Sequence, residues 1–203
     1  MSIRVFIVED NCGMRESLAE LLSRVPTLSC VGAHPSGEEA LLHIPGEAPD
    51  VVLMDINLPQ MSGLECLARL KQQMPKTQVL MLTIYDESNL IFDSLRKGAS
   101  GCLLKGMPSA ELVQSIEEVH TGGVTMSPQI ARKVLSHFQQ IKEPQSDMEQ
   151  LTKREAEVLS LLAKGFYYQE IAAQMRATIH TVKVHSHHVC EKLHVQYLGR
   201  QAY

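Results

Sequence analysis

The sequence predicts an α/β domain on a doubly wound, five-stranded parallel sheet, followed by a small all-α unit with a helix-turn-helix. Three observations predict it. Five short apolar runs alternate with helix-period stretches through the first 120 residues. The apolar period is purely helical after about position 151, and the charge changes sign between the two parts.

The strands come first. Val5 to Val8, Leu28 to Val31, Val51 to Met54, Val79 to Leu82 and Gly101 to Leu104 are each of strand length. Their lack of polar alternation predicts burial on both faces. Between them lie single apolar stripes: Met14, Leu18, Leu21, Leu22 and Val25 repeat at helical spacing, as do Leu112, Val113, Ile116 and Val119. Ser36 to Glu39 has the form of a capping box opening the second helix, and Pro45 is expected to close that helix. Gly122-Gly123 ends the unit. Ser127 to Ile141 is a further amphipathic stretch, and Lys142 to Gln150 is polar and proline-broken, as a linker should be. Thr152 to Glu155 is a second capping box before Val158, Leu159, Leu161 and Leu162; a short helix with Ile171, Ala172 and Met175 follows, and a third starts near Thr178. The predicted organisation is therefore 1–124, 125–150 and 151–203. A three-helix unit of this size is small for an enzyme site and suits a recognition module.

Composition narrows the class. The 203 residues are 44% hydrophobic and 21% charged, which argues against disorder, collagen and coiled coil. No run reaches membrane-span length, and the start has no long apolar region with a small-residue cleavage site, so a cytoplasmic protein without membrane association is expected. The five cysteines are scattered without C-x-x-C spacing, which suggests neither disulfides nor a zinc ribbon. Residues 1–150 hold 12 Lys/Arg against 19 Asp/Glu, a balance of −7, whereas residues 151–203 hold 7 against 4, a balance of +3 with five histidines besides. A basic tail piece points to a polyanionic partner.

In a parallel sheet, the carboxyl ends of the strands meet on one edge. Here they carry Glu9 and Asp10, Asp55, Thr83 and Lys105. Crowded carboxylates of this kind raise a pKa or bind a hard cation, and an all-oxygen set suits Mg2+. Lys105 and the Thr83 hydroxyl complement an anion carried on Asp55. A carboxylate nucleophile, a metal and a phosphate clamp are the parts of an aspartyl phosphorylation site.

These residues resemble a known family. Val8-Glu9-Asp10, Met54 to Pro59 with Gly63, Leu82-Thr83, and Gly98 to Gly101 leading to Leu104-Lys105 resemble a response-regulator receiver domain. Leu151 to Leu159, Glu170 to Ala172, Thr181 to His185 and Lys192-Leu193 resemble the LuxR-type helix-turn-helix. The order of the two implies the NarL/FixJ class of two-component transcription regulators, and the resemblance covers nearly the whole chain. It implies that Asp55 accepts phosphate from a sensor histidine kinase. It further implies that Glu9, Asp10, Asp55 and the Asn57 carbonyl frame Mg2+, that Thr83 and Lys105 act at the phosphoryl group, and that the phosphorylated protein dimerises on promoter DNA. The sequence departs from the family at Cys102, where an aromatic switch residue is frequent, and at Gly106 after the lysine. A weaker link from phosphate to the neighbouring surface is expected.

On the last helix, Val182, Ser186, Val189 and Leu193 are spaced to face the small core, with His180, Lys183 and His187 opposite. Such a helix fits the major groove, where Lys donates to guanine and Val184 meets a thymine methyl. The resemblance places Lys183, Val184 and His187 toward bases, with Thr181 and Lys192 at phosphates. His185, His187, His188 and His194 invite a metal reading, and His185 and His188 are three apart, but no nearby Cys or third well-placed ligand completes a site, so metal binding is not expected there. The family's Val-x-x-Arg turn is broken, with Val195 present and Leu198 in the arginine's place. A truncated fourth helix and weak dimerisation through this unit follow as expectations, with any dimer depending on the receiver or on residues 127–141. Two alternatives remain: a regulator acting through protein contacts after losing DNA binding, and an aspartyl-phosphate hydrolase. The hydrolase is disfavoured because Asn57 stands where such enzymes carry a second acid.

Overall fold

The computed structural model describes residues 2–84, 88–140 and 151–200. In chain order its elements are β1 (Ile3–Val8), α1 (Cys12–Arg24), β2 (Leu28–His34), α2 (Gly37–Glu47), β3 (Val51–Asp55), α3 (Gly63–Gln73), β4 (Gln78–Thr83), α4 (Ser88–Arg96), β5 (Gly101–Leu104) and α5 (Ser109–His120). A short β6 (Thr125–Met126), α6 (Pro128–Gln140), α7 (Lys153–Ala163), α8 (Tyr168–Gln174) and α9 (Ile179–Arg200) follow.

The strands form one parallel sheet in the order β2-β1-β3-β4-β5-β6. Successive side chains on a strand alternate between faces. Val5, Ile7, Leu53, Leu80 and Leu103 therefore share one layer with Leu18 and Leu22 of α1 and Leu112, Ile116 and Val119 of α5. Phe6, Val8, Val52, Met54, Val79 and Met81 pack on the other face, with the buried residues of α2, α3 and α4. Each aliphatic side chain buried in this way contributes roughly 1.5–3 kcal/mol.

The second layer does not stop at the sheet. It continues through Ile130, Ala131 and Val134 of α6 into Val158, Leu159, Ile171, Val182 and Val189 of the helical unit, so one apolar core spans both parts. The Tyr168 hydroxyl, from α8, donates to the Val124 carbonyl just before β6. A Cβ at Gly123 would stand 2.9 Å from the Tyr168 ring and 3.0 Å from the Glu118 carbonyl oxygen, so only glycine permits this approach.

Four expectations change. The sheet has six strands, because Thr125 and Met126 pair with Gly101 and Cys102; two residues give no periodicity to read. At the sheet's edge, β2 is only half-buried. Pro45 lies inside α2, which runs to Glu47 and stops at Ala48 in the left-handed region (φ 43°). In the last turn a proline forfeits one ladder bond, and the ladder resumes at Ala48 N–H to Ile44 O, 2.9 Å. Finally, α9 is one helix through Arg200, with no turn at Val195, since no glycine or proline interrupts it before Gly199. The linker expected over 142–150 lies outside the described residues, as does the packing of the Leu193 side chain. Of the two capping boxes, Thr152–Glu155 is complete; at Ser36 only the serine half forms.

Candidate functional site

Three strand ends and one side chain from a fourth converge. Glu9 follows β1, Asp55 ends β3, Thr83 ends β4, and Lys105 follows β5. Register makes this convergence unavoidable: Val8 pairs with Met54, Asp55 with Leu82, and Thr83 with Leu104. The Lys105 ammonium lies 2.9 and 2.7 Å from the two oxygens of Glu9 and 2.8 Å from Asp55 Oδ2. Glu9, Asp55 and Thr83 are all buried, so these charges face little water.

Burial pushes the Glu9 carboxyl above its ordinary range, with Lys105 opposing that rise and Asp55 adding to it. For Lys105, burial acts downward, but its bonds to Asp55 and Glu9 outweigh it and the pKa is raised. The lysine therefore stays charged between two carboxylates, at the place where an incoming anion on Asp55 would need a cation. The other Asp55 oxygen, Oδ1, accepts from the Asn57 N–H at 3.2 Å. Asp10 is exposed, yet one oxygen from each of Glu9, Asp10 and Asp55 lies within 4.8 Å of the others.

Local sequence explains the placement. Asn11 caps α1 by accepting from Met14 N–H at 2.9 Å, and its own N–H donates to Glu9. Arg15, one turn into α1, donates to the carbonyls of Glu9 and Asp10 at 2.7 and 3.1 Å and so holds the acidic loop. Neither residue was foreseen, although an Asn immediately before a helix is the usual cap signal. Gly63 opens α3 against the strand end, where a Cβ would collide with the Asp55 carbonyl oxygen. Cys102 is fully buried on β5, and burial pushes its thiol up to about 12.

On α9, Val182, Ser186 and Val189 face the core as their spacing indicates. Thr178 caps the helix, accepting from the Thr181 N–H at 3.1 Å. Lys183 reaches the other unit: its ammonium bonds the Thr121 hydroxyl and lies 3.3 Å from the Thr121 carbonyl oxygen. His187 and Glu191 line a cleft against Lys97, Gly98 and Gly122. The face assigned to bases is thus turned toward the sheet domain in this arrangement. Lys192, assigned to a phosphate, is instead buried and paired with Glu155 at 2.7 Å, a partner 37 residues away that no local pattern reveals.

Residues 5–117 match the family described as "Response regulator receiver domain", and residues 149–199 match "Bacterial regulatory proteins, luxR family". The chain belongs to the response regulators with a LuxR-type DNA-binding domain. It is 35% identical over 202 residues to the transcriptional regulatory protein LnrK of Bacillus subtilis, covering 96% of this chain and 92% of that protein. It is 37% identical over 193 residues to the transcriptional regulatory protein UhpA of Escherichia coli, covering 95% and 92%. Among solved structures, a LuxR-family two-component response regulator from Aurantimonas aligns with a TM-score of 0.64 at 31% identity, covering 68% of this chain and 98% of that one. The RcsB response regulator of Salmonella typhimurium aligns with a TM-score of 0.63 at 20% identity over 98% of this chain and all of that one, a likeness of fold. This response regulator therefore carries its receiver site and its DNA-binding domain on a continuous core.

Proposed function

We propose that phosphorylation of Asp55 by a sensor histidine kinase controls dimerisation and sequence-specific promoter binding by this response regulator. The observation that carries the reading is Lys105 bridging Glu9 and Asp55 at the ends of three strands. In this reading residues 1–124 receive the phosphoryl group, 125–150 supply a helix and linker, and 151–203 bind DNA. The protein acts in the cytoplasm, where its DNA target lies; separately, no described helix is long and apolar enough to cross a membrane.

The chemistry follows from the side chains. An Asp55 oxygen attacks phosphorus, a P–O bond forms as the P–N bond to the kinase imidazole breaks, and the imidazole leaves. Lys105 then transfers its bonds from the carboxylates to the phosphoryl oxygens, while the Thr83 hydroxyl donates to the same group. Glu9, Asp10, Asp55 and the Asn57 carbonyl would hold Mg2+, an assignment their all-oxygen chemistry supports. When bound, the ion would offset charge on the phosphoryl oxygens.

At the other end, Lys183, Val184 and His187 read bases and Thr181 contacts a phosphate. Lys183 must leave Thr121 to do so, which makes docking and DNA binding competitors for one ammonium. The buried Glu155 pair leaves Lys192 as a scaffold residue in our reading. Labelling with acetyl phosphate tests the phosphoacceptor: Asp55→Asn should abolish it, and undiminished labelling would refute the assignment. A mobility-shift assay with genomic fragments before and after that treatment tests the output. Failure to bind in either state would favour a regulator working through protein contacts.

A further inference from the structure

The helical unit holds a second cluster of ligand-type side chains, far from the strand ends in sequence. Glu155 is the third residue of α7, and His185 and His188 stand one turn apart on α9. One ligand atom from each lies within 4.8 Å of the other two. His188 Nδ1 is 3.8 Å from Glu155 Oε1, too far for a hydrogen bond. That separation is close to the distance between two donors on one tetrahedral zinc, about 3.3 Å for bonds of about 2.0–2.1 Å. His185 Nδ1 is shut away from solvent with no hydrogen-bond partner among the described residues. A buried ring nitrogen without a partner is costly unless something occupies it.

We propose that Glu155, His185 and His188 form a zinc-class divalent metal site that clips the start of α7 to the middle of α9. The carboxylate is already oriented for this role. Its Oε2 accepts from Lys192 Nζ and from the Thr152 N–H, each at 2.7 Å, which turns Oε1 toward His188. Outer partners of this kind fix a ligand's direction in metal sites. The His188 side chain is 46% exposed, which gives an ion a path in and a fourth position open to water.

The donor set also selects the metal. Two imidazoles and one carboxylate suit zinc and its first-row neighbours, whereas the all-oxygen cluster of Glu9, Asp10 and Asp55 suits Mg2+. The clip fixes the helix that reads DNA against the scaffold helix. At 100° per residue, His185 and His188 lie well away from Lys183 around α9, so the site remains available while Lys183 is occupied.

The test uses the full chain in excess Mg2+, which fills the strand-end carboxylates, and titrates Zn2+ against a chromophoric chelator. One equivalent of Zn2+ should bind, and above the dissociation constant the melting temperature should climb with the logarithm of free Zn2+. His185→Gln and His188→Gln should each weaken uptake by at least the 10–100-fold that loss of an outer-shell partner costs, while His180→Gln leaves it unchanged. Glu155→Gln also removes a cap and an ion pair, so the histidine variants carry the test, with circular dichroism to establish that they fold. Absence of stoichiometric uptake would overturn the proposal. So would uptake that survives both histidine substitutions, or uptake lost in Asp55→Asn, which would assign the ion to the receiver.

Discussion

Tyr168→Phe removes one hydrogen bond between the two parts of the chain, which also share an apolar core and the Lys183–Thr121 bond. The hydroxyl donates to the Val124 carbonyl, and both residues are buried, at 2% and 4% exposure. Phenylalanine keeps the ring and its packing but strands that carbonyl in the docked state, whereas in an undocked state water can reach it. Leaving a buried acceptor unpaired costs about 1–3 kcal/mol. At 1.4 kcal/mol per decade, the docked population should fall by about 5–150-fold relative to the undocked one. If docking withholds the DNA face of α9, the apparent DNA dissociation constant of unphosphorylated protein is the intrinsic one divided by the undocked fraction. It should drop by the same factor, up to the point where the chain is mostly undocked. The assay is DNA affinity of unphosphorylated full-length wild type and variant at one fixed salt concentration, because phosphate contacts make affinity steeply salt-dependent. A lower melting temperature with unchanged DNA affinity would refute the reasoning: the bond would then hold the fold together without gating the output.

Three further outcomes are expected. Gly123→Ala drives a methyl against the Tyr168 ring at 2.9 Å and the Glu118 carbonyl at 3.0 Å, so it should raise DNA affinity before phosphorylation as Tyr168→Phe does; an unchanged affinity would mean the interface absorbs the methyl. Cys102→Tyr inserts a ring where the present side chain is fully buried, so it should destabilise the receiver by about 1–3 kcal/mol in urea unfolding and should not by itself supply the family's aromatic switch; unchanged stability would show that space exists beside β5. Burial holds the Glu118 carboxyl above 4.5, with Gln114, Lys183 and Thr125 opposing. Its folded form prefers the proton, so the associated stability is present below pH 4.5 and is lost as pH rises through the folded value. Glu118→Gln should therefore raise the melting temperature at pH 7 and leave it nearly unchanged near pH 4, and a loss at pH 7 would mean that attraction to Lys183 dominates.

The strand-end site was legible because the rules that create it are local. An apolar run of four residues predicts a buried parallel strand, and the polar residue after such a run then sits on one edge. Glu9 and Lys105 are 96 residues apart, and that rule puts them on the same edge; β3 and β4 lie between their strands, so the long lysine side chain closes the remaining distance. The capping box at Thr152 was legible for the same reason, being a pattern of four consecutive residues. What escaped depends on how separate helices dock. Nothing near Tyr168 in sequence points to Val124, 44 residues away, and nothing near His185 points to Glu155. Lys192 misled because a lysine late in a recognition helix looks like a phosphate contact, when its aliphatic stem and a capping glutamate make it a buried strut.

The two ends of the response regulator are joined by a short stretch of paired backbone. Lys105 follows β5, and its N–H bonds the Thr83 carbonyl at 2.7 Å, so a lysine redirected toward a phosphoryl group acts on the end of that strand. Two residues of β5 pair with Thr125 and Met126, and the Ser127 N–H bonds the Cys102 carbonyl at 3.4 Å. Val124, immediately before β6, carries the carbonyl that holds Tyr168, and Thr121 holds Lys183. This route runs through the shared core, in which Cys102, Val124 and Met126 are all buried, so a shift of β5 relative to β6 would be felt by both parts. Coupling of this kind requires an element with two discrete arrangements, and a two-residue strand is the least expensive piece of the sheet to release. Releasing β6 would take Val124 from Tyr168, and Lys183 would then be available to DNA. If phosphate at Asp55 reaches α9 along this chain of ion pair, strand pairing and side-chain bonds, the switch would not depend on an aromatic side chain at Cys102.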